Sequence, residues 1–397
     1  MLKRSIILLS ILLLAPTWIS TLKPVKAAQQ QNPPNGVKPL CLPGIYLIDP
    51  GDCLPGGPSA YLTSMAKIGL AFPVLPLTYA KLDPALSQVD VRYGEVTTKP
   101  APVFSTQEEA IKGGKKSASQ KLNGDFVFIS YTDEQEVSGK RLYEINPGQW
   151  ITGAYISRLG VVPASRGALF KNPPSSTFGW VLTYFAQTPQ VEVKQTPGYD
   201  NEDYTGKFLN LYDIVPVFTE QKVNEENWYM IGPDEWIPAK YIARVIPNTR
   251  PPEGVTGDRW IEVNLFEQTL AVYDKRQLVF ATIIASGADP FWTRPGLFQI
   301  FEKHDKTPMR GAFEGDLSDA YYLEDVPWTM YYDGARALHG AYWRAKMGFT
   351  QSHGCVNLTV GDARWLFDWG QIGDWVYVWD PSGQTPTDPS LYGSGGF

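Results

Sequence analysis

The sequence predicts a mainly β fold spread over several domains, and three observations predict it. The chain of 397 residues has 13 Trp, 21 Tyr and 18 Phe beside 36 Gly and 33 Pro. That mixture favours short aromatic strands joined by turns over long helices. A repeat follows: the segment 145–158 (INPGQWITGAYISR) matches 231–244 (IGPDEWIPAKYIAR) at seven of fourteen positions, at an offset of 86. Finally, 260–265, 269–273 and 278–285 are apolar runs separated by short polar turns, the pattern of a meander. The length exceeds one ordinary domain, and 43% hydrophobic residues exclude global disorder. A net charge of −6 and a pI near 5.3 speak against a general nucleic-acid role.

The elements are expected in this order. Lys3-Arg4, the apolar run 5–19 and Val25-Lys26-Ala27 read as a signal peptide over 1–27. The apolar run is about 15 residues, short of the roughly 20 that a spanning helix needs. A membrane is therefore met only through the leader, and the chain is expected to be exported to a cell wall or periplasm. Cleavage would remove Lys3, Arg4, Lys23 and Lys26, leaving a more acidic mature chain. Residues 28–89 form an N-terminal segment. Cys41 and Cys53 lie 12 apart there in Gly/Pro-rich sequence and suit a local disulfide in an oxidising compartment. A short helix is expected near Tyr61 to Leu70. The repeat defines two modules, 90–165 and 166–250, each of short strands, a turn, a strand with a central Trp (Trp150, Trp236) and a closing Tyr-Ile. These aromatics serve equally as small cores or as a ligand groove. The pattern resembles the bacterial SH3-like module, a small barrel.

A Pro/Gly linker over 248–257 leads to the strand-rich segment 258–381. One helix is expected there, capped by Thr359 with Asp362 completing a capping-box-like pair, and stopped by Gly370. Residues 382–397 read as a flexible tail.

All three histidines, His304, His339 and His353, lie in this last third with Cys355. The densest cluster is 352–358 (SHGCVNL), with His339-Gly340 sixteen residues before the cysteine. Cysteine catalysis needs a thiolate, a base and donors for an oxyanion. Cys355 is the candidate nucleophile and His339, at a strand end, the candidate base. His353 and Ser352 read as orienting residues, with Gly340 and Gly354 allowing a tight site and backbone donation. The helix opening near Thr359 is expected to favour a thiolate. His304 reads as a surface histidine. Nothing in the His, Cys and carboxylate spacing supports a metal site, and no cofactor is implied.

These residues resemble the L,D-transpeptidase family, whose signature is a His-Gly, a gap, then Ser/Thr-His-Gly-Cys. The turn 293–298 (TRPGLF) is similar to the family's Thr-Pro-x-Gly-x-Phe, with Arg294 in place of Pro. The resemblance covers roughly 258–381. It implies a β-rich catalytic domain with a short helix, following the two SH3-like modules. It also implies partners: a peptidoglycan stem tetrapeptide as acyl donor and a second stem's amine as acceptor. By this likeness Cys355 forms a thioester and His339 carries the proton. Asn357 stands where most members have Arg. Trp343, Tyr322 and Trp328 sit on segments flanking His339 as candidate substrate-binding residues, with a core role the slightly favoured alternative. Rival readings are an L,D-carboxypeptidase using the same cysteine, and a wall-binding protein whose cysteine is idle. The modules lie outside the Cys/His motif, so the segment from about Gly254 is expected to carry the acylation chemistry alone.

The leader and cysteine readings predict a mature chain beginning near Ala28 with Cys41 and Cys53 bridged. Intact-mass measurement of secreted protein, with and without reductant, checks this. A retained leader, or two free thiols in that segment, would refute it.

Overall fold

The computed structural model describes residues 58–393 apart from 69, 71, 73, 115–116, 175, 185, 201 and 313–319. The leader and the Cys41–Cys53 pair lie outside the described residues. The chain divides into Met1–Ser64 and Met65–Phe397. The expected first helix is observed as Pro58–Lys67. Everything below concerns the second unit.

The mainly β expectation holds, and two seven-stranded sheets organise the unit. One runs, edge to edge, through Ala80–Lys81, Ala168–Leu169, Gln277–Ile283, Thr269–Asp274, Trp260–Asn264, Trp375–Trp379 and Gly296–Gln299. The meander read from 260–285 is its centre. The closing strand Trp375–Trp379 pairs parallel with Trp260–Asn264. The other sheet runs through Val356–Leu358, Arg336–Gly340, Tyr321–Asp333, Phe126–Tyr131, Arg92–Val96 and Ile156–Arg158, with Glu302–Gly311 also paired to Tyr321–Asp333. Between these sheets lies a core that includes Ile261, Val263, Leu270, Leu338, Val356 and Leu366.

The two repeat copies fold alike. Lys140–Asn146, Gln149–Thr152, a 3₁₀ turn Gly153–Tyr155 and Ile156–Arg158 correspond to Glu226–Gly232, Glu235–Pro238, Ala239–Tyr241 and Ile242–Val245. Trp150 and Trp236 are both buried in small apolar clusters. They are core residues, which decides against the groove reading for these two side chains.

The first module is not a separate bead. Its strand Phe126–Tyr131 pairs parallel with Tyr321–Asp333, Phe126 opposite Tyr321. Polar contacts lock the joint. The buried Glu324 carboxylate accepts from Ser130 N–H (2.9 Å) and Asn146 Nδ2 (3.0 Å). Tyr93 Oη donates to the Asp325 carbonyl at 2.9 Å.

Thr359 caps the helix Val360–Trp369 as read, accepting from Asp362 N–H at 3.4 Å, and Gly370 ends it. Asp362 does more than pair with Thr359 as expected. Its buried carboxylate accepts from Arg166 N–H (3.1 Å), Gly167 N–H (3.0 Å) and Thr282 Oγ1 (2.7 Å). It therefore ties the start of the second module to the helix and sheet, because three otherwise buried donors need an acceptor there. Within the tail, the Gly393 carbonyl accepts from Arg336 Nη1 at 3.2 Å.

Burial lifts the Glu324 carboxyl to about 7, with the hydrogen bonds from Ser130 and Asn146 opposing it. A carboxyl whose folded pKa exceeds its unfolded value of about 4.3 binds its proton more tightly when folded. Its contribution is thus full below the unfolded value and is lost as pH rises towards 7. Glu324→Gln keeps the shape and removes the titration, so the decline in stability across this window should shrink by up to roughly 3 kcal/mol. Urea unfolding at pH 4.5 and pH 7.5 reads this; identical pH dependence in both proteins would rule it out.

Candidate active site

Strand register brings the site together. Arg336–Gly340 and Val356–Leu358 pair parallel, with Leu338 opposite Val356, His339 opposite Asn357 and Gly340 opposite Leu358. Side chains alternate between the faces of a strand. Leu338, Val356 and Leu358 point into the core, so His339 and Asn357 take the other face, and Cys355, two residues before Asn357, follows them. That face forms a cavity of about 550 Å³ whose lining includes His339, Trp343, Ser352, His353, Cys355 and Asn357.

Cys355, the candidate nucleophile, sits at the end of a tightly tied turn. Ser352 Oγ donates to the Cys355 carbonyl (2.5 Å) and accepts from Gly354 N–H (3.2 Å). Gly354 has φ +104°, and a Cβ there would lie 3.1 Å from Arg336 Nε. Both its backbone shape and the space around it suit glycine. Thr293 Oγ1 accepts from Gly287 N–H and donates to the Gly354 carbonyl, both at 2.9 Å. The turn recognised at 293–298 thus clamps the nucleophile loop. The His353 ring lies between Tyr321 and Phe291, with centroids 4.7 and 5.0 Å away, an orienting arrangement. Gly354 allows the tight turn expected of it, and its own N–H is engaged by Ser352.

The electrostatics differ from the thiolate expected. Burial pushes the half-buried Cys355 thiol up, opposed by the Ala337 backbone and by Arg336. Arg336 Nη1 is bound to Asp333 Oδ2 at 3.1 Å, and Asp333 also holds Arg294. The cation behind the sulfur is therefore largely compensated. Burial pulls His339 down to about 4; the Gly340 backbone opposes this and Arg344 adds to it. Desolvation disfavours both charged forms, so near neutral pH the resting pair is thiol and neutral imidazole.

Two of the candidate substrate residues are elsewhere. Tyr321 and Leu323 line the cavity, and the intervening Tyr322 turns to the other face of the strand, against the first module's core. Trp328, at φ +56°, packs on Phe367, its ring 3.9 Å from the Arg364 guanidinium. Gly340 ends its strand close to Pro327 and Val360, where a Cβ would meet atoms at 3.2 Å. His304 is at the surface, 2.7 Å from Glu302.

Other residues carried no sequence signal for the site. Phe126, from the first module, lines the cavity, as do Arg344 and Phe349. The second module holds the 341–351 loop: Met347 N–H donates to Tyr212 Oη at 2.8 Å, and Tyr212 pairs with Tyr184. The Tyr184 ring meets Phe349 edge-on at 5.5 Å.

Residues 258–378 match the YkuD family, described as the L,D-transpeptidase catalytic domain. The chain is 28% identical over 170 residues to L,D-transpeptidase 1 of Mycobacterium tuberculosis, covering 38% of this chain and 64% of that protein. It thus spans under two thirds of that relative's length. Among solved structures, the catalytic domain of an Enterococcus faecium L,D-transpeptidase is 26% identical, with 32% of this chain and 100% of that chain covered and a TM-score of 0.29. An L,D-transpeptidase from Mycobacterium smegmatis is 15% identical, with 54% and 89% covered and a TM-score of 0.30.

A neutral resting pair has a kinetic signature. Alkylation of Cys355 by iodoacetamide should rise with pH through a midpoint above the ordinary thiol value of about 8.5, without a step near pH 6. His339→Ala should leave that profile within about threefold, because a neutral imidazole stabilises no thiolate in the free protein. An acidic limb lost in His339→Ala would instead establish a resting ion pair.

Proposed function

We propose that this protein is an exported L,D-transpeptidase that forms peptidoglycan cross-links through a thioester on Cys355. The observation that carries the reading is the register placing His339, Asn357 and Cys355 on one face of the sheet and on one cavity. The family match over 258–378 supports it, and Lys3-Arg4 with the apolar run 5–19 supports export. In this reading 90–165 and 166–250 are SH3-like modules built into the walls and supports of the site.

The steps follow from the side chains. Cys355 Sγ attacks the carbonyl between the L- and D-centres of a donor stem while neutral His339 takes the thiol proton. An imidazole left unprotonated at neutral pH is the form a general base requires. The tetrahedral intermediate collapses, the C–N bond breaks, and His339 returns the proton to the departing amine of the terminal D-residue. The acceptor amine then attacks the thioester, passes a proton through His339 to the leaving sulfur, and restores the thiol. Ser352, Gly354 and Thr293 hold the sulfur's backbone; His353 keeps the turn oriented. Hydrolysis shares the acyl-enzyme and differs only in whether water or an amine attacks.

Incubation of the full chain with a disaccharide-tetrapeptide, read by mass, tests the proposal. Cross-linked dimers lacking one terminal residue are expected. Tripeptide alone would identify a carboxypeptidase, and unchanged substrate would favour an idle site. A carbapenem-type β-lactam should form an adduct that Cys355→Ala abolishes. His339→Ala should slow adduct formation by about a hundredfold or more, the scale of lost acid–base catalysis. An adduct persisting in Cys355→Ala would overturn the nucleophile assignment.

A further inference from the structure

Among the described residues, the lining of the cavity that holds Cys355 contains no Asp or Glu, whereas Arg344 and Lys346 both belong to it. Lys346 is exposed at the rim, its ammonium 5.3 Å from the Tyr184 ring. Arg344 is set deeper. Its Nη2 donates to the Gln351 carbonyl at 2.7 Å, and its Nε is buried without a hydrogen-bond partner. Among the described residues, burial is the one influence on this guanidinium, and it lowers the pKa to about 10; no carboxylate offsets it.

The other arginines near the site are differently placed. Arg336 and Arg294 are both tied to Asp333 beneath the nucleophile loop. Arg344 therefore stands out as a cation in a low-polarity pocket with no counter-charge among the described residues. Burying a charge without a partner is costly, and an incoming anion removes that cost. The walls around it, Phe126, Tyr321 and Trp343 among them, are aromatic, so a charge pair formed there is poorly screened. A guanidinium also matches a carboxylate with paired N–H donors. Asn357, where most relatives by resemblance carry Arg, supplies no charge.

We propose that Arg344 is the specificity residue of the donor site and binds a free carboxylate of the acyl donor close to the scissile bond. The proposal rests on the transpeptidase reading above. A stem tetrapeptide offers two such groups: the C-terminal carboxylate of the departing D-residue, and a side-chain carboxylate on the residue before it. Arg344 takes no part in the covalent steps. It anchors the donor in the cavity that His339 and Cys355 also line, and it favours donors whose carboxylate is free over amidated ones.

The test uses the full chain and three donors: a tetrapeptide with both carboxylates free, one with a terminal carboxamide, and one with a side-chain carboxamide. The readout is release of the terminal residue. Wild type should lose about 30-fold or more in kcat/KM with one of the two amides, the scale for leaving one partner of a buried charge pair unmatched. Which amide fails identifies the carboxylate bound. Arg344→Gln should slow the free donor by a similar factor and treat all three donors within about threefold. Arg344→Lys should restore part of the discrimination. Alkylation of Cys355 by uncharged iodoacetamide should stay within about threefold in Arg344→Gln, showing an intact nucleophile. Equal rates for all donors in wild type, or undiminished discrimination in Arg344→Gln, would overturn the subsite while leaving the transpeptidase reading in place. Absence of terminal-residue release from every donor in wild type would overturn both.

Discussion

The strand Tyr321–Asp333 hydrogen-bonds along both edges, to Glu302–Gly311 on one and, at its two ends, to Phe126–Tyr131 and Arg336–Gly340 on the other. Its thirteen residues reach from the first module to the strand that carries His339. At one end Tyr321 and Leu323 form the cavity wall. In the middle Glu324 and Asp325 accept the hydrogen bonds that dock the module. At the other end Asp333 holds Arg294 and Arg336 beneath the nucleophile loop. A change of register here would move the wall, the joint and the ion pairs together, since one residue of slip exchanges the faces of a strand.

Burial governs the chemistry more than charge does. Cys355 is pushed towards the thiol and His339 towards neutral imidazole, and the arginine behind the sulfur already has a carboxylate. Such a pair is inert towards bystanders and becomes reactive when a carbonyl is held against the sulfur, because proton transfer and bond formation then occur together. Stabilisation is thereby reserved for the transition state rather than the resting ion pair.

What was legible in the sequence was local. The meander, the helix with its Thr359 cap, the repeat and the Cys/His segment all depend on spacing within a few tens of residues. Parallel pairing between Phe126 and Tyr321 joins distant stretches and leaves no local pattern, so the shared sheet was not. Tyr322 and Trp328 were misplaced for a related reason. Nearness to His339 in sequence does not say which face of a strand a ring takes, and the positive φ at Asp325 and Trp328 breaks simple alternation between them. Asp362 fits a capping pattern three residues after Thr359, yet its partners Arg166 and Gly167 belong to another module. Arg344 belongs to no motif. That no carboxylate among the described residues faces it is a matter of tertiary placement, which sequence does not display.

These long-range contacts change what the modules are for. A segment beginning near Gly254 would retain His339, Cys355 and their strands, but not Phe126 on the cavity wall or Tyr212 beneath Met347. The loss of Tyr212 leaves a backbone N–H without its acceptor in the loop that carries Arg344 and Phe349. Met347 also loses the apolar cover of Leu182, so the loop would give up both a hydrogen bond and packing that fix its shape. The Cys/His segment therefore lies in one third of the chain, while the cavity beside it also takes a wall from Phe126 and its 341–351 loop a support from Tyr212. The expectation of an autonomous segment follows from where the motif lies; the contacts at Phe126, Tyr212 and Asp362 tie that segment to both repeat units.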